Sequence, residues 1–289
     1  MLTEIYQAIQ GQRQSWNLIK KLGDGDAGEV YLVESLLDKQ PAIVKRPRKG
    51  SFFSDIIRQA NQIKTEGSIM HGLQRAEFST QGIHLTIPDL LDQNTAEFDL
   101  GEQTFIIIEQ AKGLDLKLLS QVIRFGKAST QNLSVDPQFT LLIEQWSRFQ
   151  EFPAQLLVRI LVSVLNFLET IHATEIRTDH GIQSGVIWND VKPDHLYWDP
   201  LNLNLTFIDW GNSQYLESNR ITKDRQYSAS DDFRQFIQEM GSFTAEVNPT
   251  LFAQLEWPED STSSDVYENA ILPLKEKLTL KHKDDTEQL

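Results

Sequence analysis

The chain contains no cysteine, so disulfides, cysteine-zinc sites and thiol nucleophiles are excluded. It is also poor in positive charge, with 27 Lys and Arg against 41 Asp and Glu and a formal net charge of -14. Affinity for polyanions comes mainly from clustered Lys and Arg, so no nucleic-acid partner is expected. The one basic cluster, Lys45-Arg46-Pro47-Arg48-Lys49, is too short to reverse that balance. No apolar run reaches bilayer length, and Met1 to Ala8 has neither the basic start nor the apolar core of a signal peptide. No membrane partner is expected, and a soluble cytoplasmic protein is the default. Internal repeats and low-complexity tracts are absent too. What is present is a 289-residue chain, 40% hydrophobic, sufficient for the core of one large or two modest domains.

From Trp16 to about Lys45 the pattern is strand, glycine-rich turn, strand, turn, strand: Trp16–Leu22, Glu29–Val33 and Ala42–Lys45. Alternation and β-branched residues carry that reading. A helix is predicted from about Ser54 to Gln74, with Ile56, Ile57, Ala60, Ile63 and Ile69 on one stripe. Two further strands follow, Ile83–Ile87 and Gln103–Glu109, for a five-stranded sheet with one helix. After Lys112-Gly113 the character turns helical. The clearest helix runs from about Phe152 to His172, with Pro153 in its first turn. Others are expected over Asp231–Met240 and Tyr267–Leu278. The stretch Lys127–Pro137 reads as a loop, and Lys281–Leu289 as a polar, frayed tail.

The motif with most chemical content is Trp188-Asn189-Asp190-Val191-Lys192-Pro193-Asp194-His195, followed by Phe207-Ile208-Asp209-Trp210-Gly211. Between them, Leu196 to Ile208 reads as two short strands around an Asp-Pro-Leu-Asn turn. Such a hairpin would bring Asp190 and Asp209 to one mouth. Phosphoryl transfer needs a carboxylate to receive a hydroxyl proton, a cation for the migrating group and a second carboxylate for magnesium. Asp190, Lys192 and Asp209 are those residue types. The segment resembles the catalytic loop and metal-binding turn of protein kinases, written HRDxKPxN and DFG. Gly23-Asp24-Gly25-Asp26-Ala27-Gly28-Glu29-Val30 fits the GxGxxGxV pattern of the same family. The dinucleotide-binding fingerprint shares that spacing, but it opens a helix, whereas Val30–Val33 continues as a strand. The plain alternative is a tight turn whose aspartates cap local amides.

The resemblance spans about Trp16 to Met240 and implies an α+β, two-lobed protein-kinase-like fold. A small β-rich lobe with one main helix would occupy 1–112, a larger helical lobe 113–280, and the tail 281–289. It implies ATP with Mg²⁺ or Mn²⁺ in the cleft. Gly23, Gly25, Gly28 and Val30 would cover the nucleotide, and Lys45, ending Ala42-Ile-Val-Lys, would pair with Glu66. Glu109 and Ala111 would form the hinge that meets adenine, with Ile108 gating the back of the slot. Asp190 and Lys192 would be catalytic, and Asp209 with His195 would hold metal. The implied activity is transfer of the γ-phosphoryl of ATP to Ser or Thr of a protein.

Several residues depart from the family pattern. Ile43 stands where a small alanine roofs adenine. His195 replaces the asparagine that binds the second magnesium, and imidazole suits transition metals better than magnesium; Asp194 is a neighbouring alternative ligand. Asn189 replaces the arginine of HRD, while Trp188 and Trp210 are large apolar replacements able to keep a packing role. The Asp-Trp pair is also similar to aminoglycoside phosphotransferases. No Ala-Pro-Glu element follows, and the helix expected to tether the loop through Asp232 begins soon after Asp209. Two other readings therefore stand: a pseudokinase, acting as a nucleotide-binding or protein-interaction scaffold, and a small-molecule kinase.

Overall fold

The computed structural model describes residues 8–25, 27–48, 52–74, 78–80, 82–94, 104–125, 152–178, 181–216, 228–258 and 265–286. The expectations for Met1–Gln7, Asp26, Lys49, Gln103, the 127–137 loop and 287–289 lie outside them. The chain is of mixed α+β class. Six antiparallel strands form one sheet, in the order Ala8–Gln10, Ser15–Gly25, Gly28–Ser35, Pro41–Arg46, Phe105–Glu109 and Leu90–Asn94. The glycine-rich turn joins the second and third of these. Gly28 has φ 129°, and a Cβ there would lie 2.1 Å from the Arg46 carbonyl oxygen. Only glycine fits so close a backbone approach.

The expected five-strand sheet needs correction at three strands, of which Ala8–Gln10 is an added edge strand. Ile83–Thr86 belongs to a second sheet, where it runs parallel to Asn204–Phe207. Its place in the first sheet is taken by Leu90–Asn94. Asp92 interrupts the apolar pattern of that strand, yet it is 2% exposed. Its carboxylate accepts the amides of Gln12, Arg13, Gln14 and Gln93 and the indole N–H of Trp16. A buried charge is tolerable when hydrogen-bonded this fully.

The helix Phe53–Leu73 lies within a residue of its expected limits, and Ile56, Ala60, Ile63 and Ile69 are buried. Ile57 is 40% exposed and falls off the stripe, one residue being about 100° round the helix from Ile56. Helix Ala154–Ala173 carries the centre of the large core, with Phe167 stacked on Phe207. Pro153 is its N-cap rather than part of its first turn. By length and composition this helix could cross a membrane, but 61% of the apolar window is buried inside the protein. Helix Ala229–Gln235 leads through a π turn, Phe236–Met240, into Gly241–Val247. The last helix follows another π turn, Tyr267–Ile271, and runs from Leu272 to Thr286, eight residues beyond its expected end. Lys275 pairs with Glu169 and Lys277 with Glu256; once a helix is anchored, further turns of helix-forming residues add at little cost.

Candidate functional site

The loop Trp188–Lys192 has no ladder of its own, so its amides need partners from elsewhere. Helix Ala229–Gln235 supplies them. Asp232, fully buried, takes the amide of Asn189 on Oδ1 at 2.6 Å and that of Trp188 on Oδ2 at 2.9 Å. His172 Nε2 donates to the same Oδ2. One turn on, Gln235 Oε1 accepts the Val191 amide at 2.8 Å and its Nε2 donates to Asn189 Oδ1. Asp232 is the residue the sequence singled out for this duty. Gln235 was not.

The loop continues into the hairpin Leu196–Asp199 and Asn204–Phe207, in register from Leu196↔Phe207 to Asp199↔Asn204. Asp199 accepts the Leu201 amide and the Asn202 side chain, fixing the expected turn. Asp209 thereby returns to the level of Asp190. Trp188 and Trp210 are fully buried and stacked at 5.7 Å, and the Trp188 indole donates to the carbonyls of Ile208 and Asp209. Both tryptophans therefore pack. Asn189 and Asp209 sit at φ 58° and 61°, left-handed conformations that Asn and Asp tolerate best among side-chain-bearing residues.

Lys45 arrives from strand Pro41–Arg46 and Glu66 from the long helix. The Lys45 amine lies 2.6 Å from Glu66 Oε1 and 2.8 Å from Asp209 Oδ1. Burial works to lower the pKa of that amine, but the two facing carboxylates outweigh it and hold it above its ordinary value. Burial likewise works to raise the Asp209 carboxyl, and the positive charge of Lys45 overcomes it, carrying the pKa down to about 2. Glu66 Oε1 also accepts the Trp210 amide.

The two aspartates are used alike. Asp209 gives Oδ1 to Lys45, and Asp190 gives Oδ1 to Lys192 at 3.0 Å. Their Oδ2 atoms each lie 3.5 Å from a nitrogen of His195. His195 Nδ1 faces the Asp190 carbonyl oxygen at 3.1 Å. A carbonyl only accepts, so a hydrogen bond there needs the proton on Nδ1. Burial pushes the imidazole below its ordinary pKa, against the opposing pull of Asp190 and Asp209. Ligand atoms of Asp190, His195 and Asp209 lie within 4.8 Å of one another. Two carboxylates and an imidazole form a donor set that fits manganese or another first-row ion better than magnesium. Asp194 is not part of that cluster among the described residues.

Gly25, Gly28, Val30, Lys45, Asp190, Lys192 and Asp209 all line one cavity of about 310 Å³ beneath the glycine hairpin. Glu66 and His195 stand behind it through Lys45 and the aspartates. Gly23, Glu109 and Ala111 are not on its wall. Gly23 pairs with Val30 inside the sheet, and Glu109 pairs with Ala42. Ile43 is half-buried, opposite buried Ile108, and packs against the large core. Asp24 is matched by Lys21 at 2.8 Å and Arg48 at 3.5 Å, so its charge does not stand unopposed beside the cavity. Four further wall residues were given no role in the sequence: Ala27, Glu29, Gly211 and Asn212. Asn212 donates to Asp190 Oδ2 at 3.4 Å. Its place three residues after Asp209 is the only signal that could have found it.

Neither a family model nor a curated protein matches this chain.

Proposed function

We propose that the chain has the two-lobed protein-kinase-like arrangement and transfers the γ-phosphoryl group of ATP to a hydroxyl, Ser or Thr of a protein being the acceptor. The observation that carries this reading is that Lys45, Asp190, Lys192 and Asp209 face one cavity whose wall also includes Gly25, Gly28 and Val30. Glycine backbone lets phosphates approach closely and offers amides to them. In this reading Lys45, fixed by Glu66, holds the phosphates, Lys192 stands by the migrating group, and Asp190 orients the acceptor hydroxyl and takes its proton. Asp209 and His195 would hold a divalent metal ion, with Asp190 in reach, which supplies charge neutralisation for the phosphates when bound. Retention of all five charged groups supports catalysis, because a pure scaffold has no use for Asp190.

The test is transfer of labelled γ-phosphate to the protein itself, to generic basic proteins and to a small-molecule panel. Asp190→Asn is expected to keep ATP binding, read as a rise in melting temperature, while cutting transfer by about 10²- to 10⁴-fold. Undiminished transfer by the variant removes Asp190 from the mechanism. One observation favours a second reading, a pseudokinase scaffold: the cavity wall stops short of Glu109 and Ala111, where a base would be recognised. ATP binding without transfer to any acceptor would decide for it.

A further inference from the structure

Gln235 is the last residue of helix Ala229–Gln235, immediately before the π turn Phe236–Met240. Its side-chain amide is engaged at both atoms. Oε1 accepts the N–H of Val191 at 2.8 Å, and Nε2 donates to Asn189 Oδ1 at 3.0 Å. Asn189 and Val191 are the two chain neighbours of Asp190, so a single amide brackets that residue. The bracket also acts on a strained point, since Asn189 is held at φ 58°; such conformations persist where the surroundings over-determine them. On its other side the Asn189 amide reaches the Asn212 carbonyl at 3.5 Å, and Asn212 reaches Asp190 Oδ2 at 3.4 Å. A run of amides thus leads from the helix to the carboxylate in the cavity. Asp232 lies one turn earlier on that helix and holds only the upstream amides, those of Trp188 and Asn189.

We infer that Gln235 is a positioning residue: it fixes the direction of the Asp190 side chain by holding the Val191 peptide N–H on one side of it and the Asn189 side chain on the other, and takes no part in holding nucleotide. Its effect on transfer rests on the role proposed for Asp190, whereas the grip itself does not. A side chain that reaches the cavity from an irregular loop keeps its aim only if the flanking peptides are fixed, and small misplacements of a reacting group are costly in rate.

The experiment uses the full chain with Gln235→Met, which keeps length and loses both bonds, and Gln235→Glu, which keeps the acceptor for Val191 and loses the donor to Asn189. Amide hydrogen exchange at Val191 reads the grip. Transfer kinetics and the ATP-induced melting shift read its consequence. In Gln235→Met, Val191 exchange should rise about tenfold and kcat fall by about the same factor, the loss expected from one hydrogen bond of ordinary strength. KM for ATP and the melting shift should stay within about twofold of the parent, a split that general loosening of the fold would not give. Gln235→Glu should preserve Val191 protection yet lose kcat. That loss should vanish in an Asn189→Gly background, where positive φ is kept and the side-chain acceptor is gone. Unchanged Val191 exchange in Gln235→Met overturns the inference, and so does faster exchange with unchanged kcat. If the parent transfers no phosphate, the functional reading fails on its own account, and Val191 exchange alone upholds or overturns the grip.

Discussion

Lys45 Nζ lies 2.6 Å from Glu66 Oε1, and the carboxylate has no exposed surface at all. Removing one member of such a pair strands a buried charge, which costs about 3–5 kcal/mol, whereas replacing both by apolar residues of similar volume is often close to neutral. Lys45→Met should therefore lower the urea midpoint by more than the double variant Lys45→Met/Glu66→Leu does. Additive losses in the two single variants would show that the pair is not coupled. The same Lys45→Met protein should lose most of the ATP-induced stabilisation, about 2.7 kcal/mol when ligand stands at 100 times its dissociation constant.

His195 places an imidazole where the donor set would otherwise be all oxygen. Manganese binding in the presence of ATP, followed by the loss of its free-ion spin resonance signal, should be tighter than magnesium binding measured by competition. His195→Asn should narrow that gap, since it replaces a nitrogen ligand by an amide oxygen. An unchanged metal preference in the variant would leave His195 with its hydrogen bond to the Asp190 carbonyl as its whole role.

Asp232 accepts three N–H groups without any solvent contact. In Asp232→Asn one oxygen becomes an amide donor facing N–H groups that have no other acceptor among the described residues. Hydrogen bonds to a charged group contribute about 1.5–3 kcal/mol each, so a loss of at least that size is expected in the urea midpoint. A variant within about 0.5 kcal/mol of the parent, the range of ordinary surface substitutions, would mean that the loop is held by other contacts.

Helix Ala154–Ala173 and the hairpin Leu196–Phe207 were legible because apolar spacing and turn residues agree over their whole length. The glycine turn was legible because its glycine spacing is followed by a strand pattern, and the structure adds that only glycine fits at Gly28, under the Arg46 carbonyl. Strand Leu90–Asn94 was not: its central Asp92 looks like a surface residue until the amides of Gln12 to Gln14 are brought beside it. Ile83–Thr86 reads as a strand in any case, but its partner Asn204–Phe207 lies more than a hundred residues away, and local pattern carries no information on pairing. The site follows the same division. Charged residues with a required chemistry stood out, while Gln235 and Asn212 act through amide contacts that leave no spacing in the sequence.

Asp92 makes a pH prediction. Burial works to raise its carboxyl, but the Trp16 indole N–H and the amides of Gln93, Gln14 and Arg13 outweigh that and hold the pKa below its ordinary value. A carboxyl depressed in the folded state stabilises in full above the unfolded value, about 3.9, and that contribution is lost as pH falls through the folded value. The stability gap between the parent and Asp92→Asn should thus be largest near neutrality and shrink below about pH 4. Urea midpoints at pH 7 and pH 3.5 measure it. A gap independent of pH would assign the effect to packing rather than to charge.

Strand Ile83–Thr86 follows the Glu66 helix in the chain and is zipped in parallel to Asn204–Phe207, with Thr86 Oγ1 2.9 Å from Thr206 Oγ1. The helix that bears Glu66 is therefore moored, downstream of its last turn, to the same hairpin that delivers Asp209. A swing of the helix away from Lys45 would break an ion pair whose carboxylate is wholly buried. Lys45 thus stands bridged between the helix and the hairpin, held to Glu66 on the one and to Asp209 just past the end of the other.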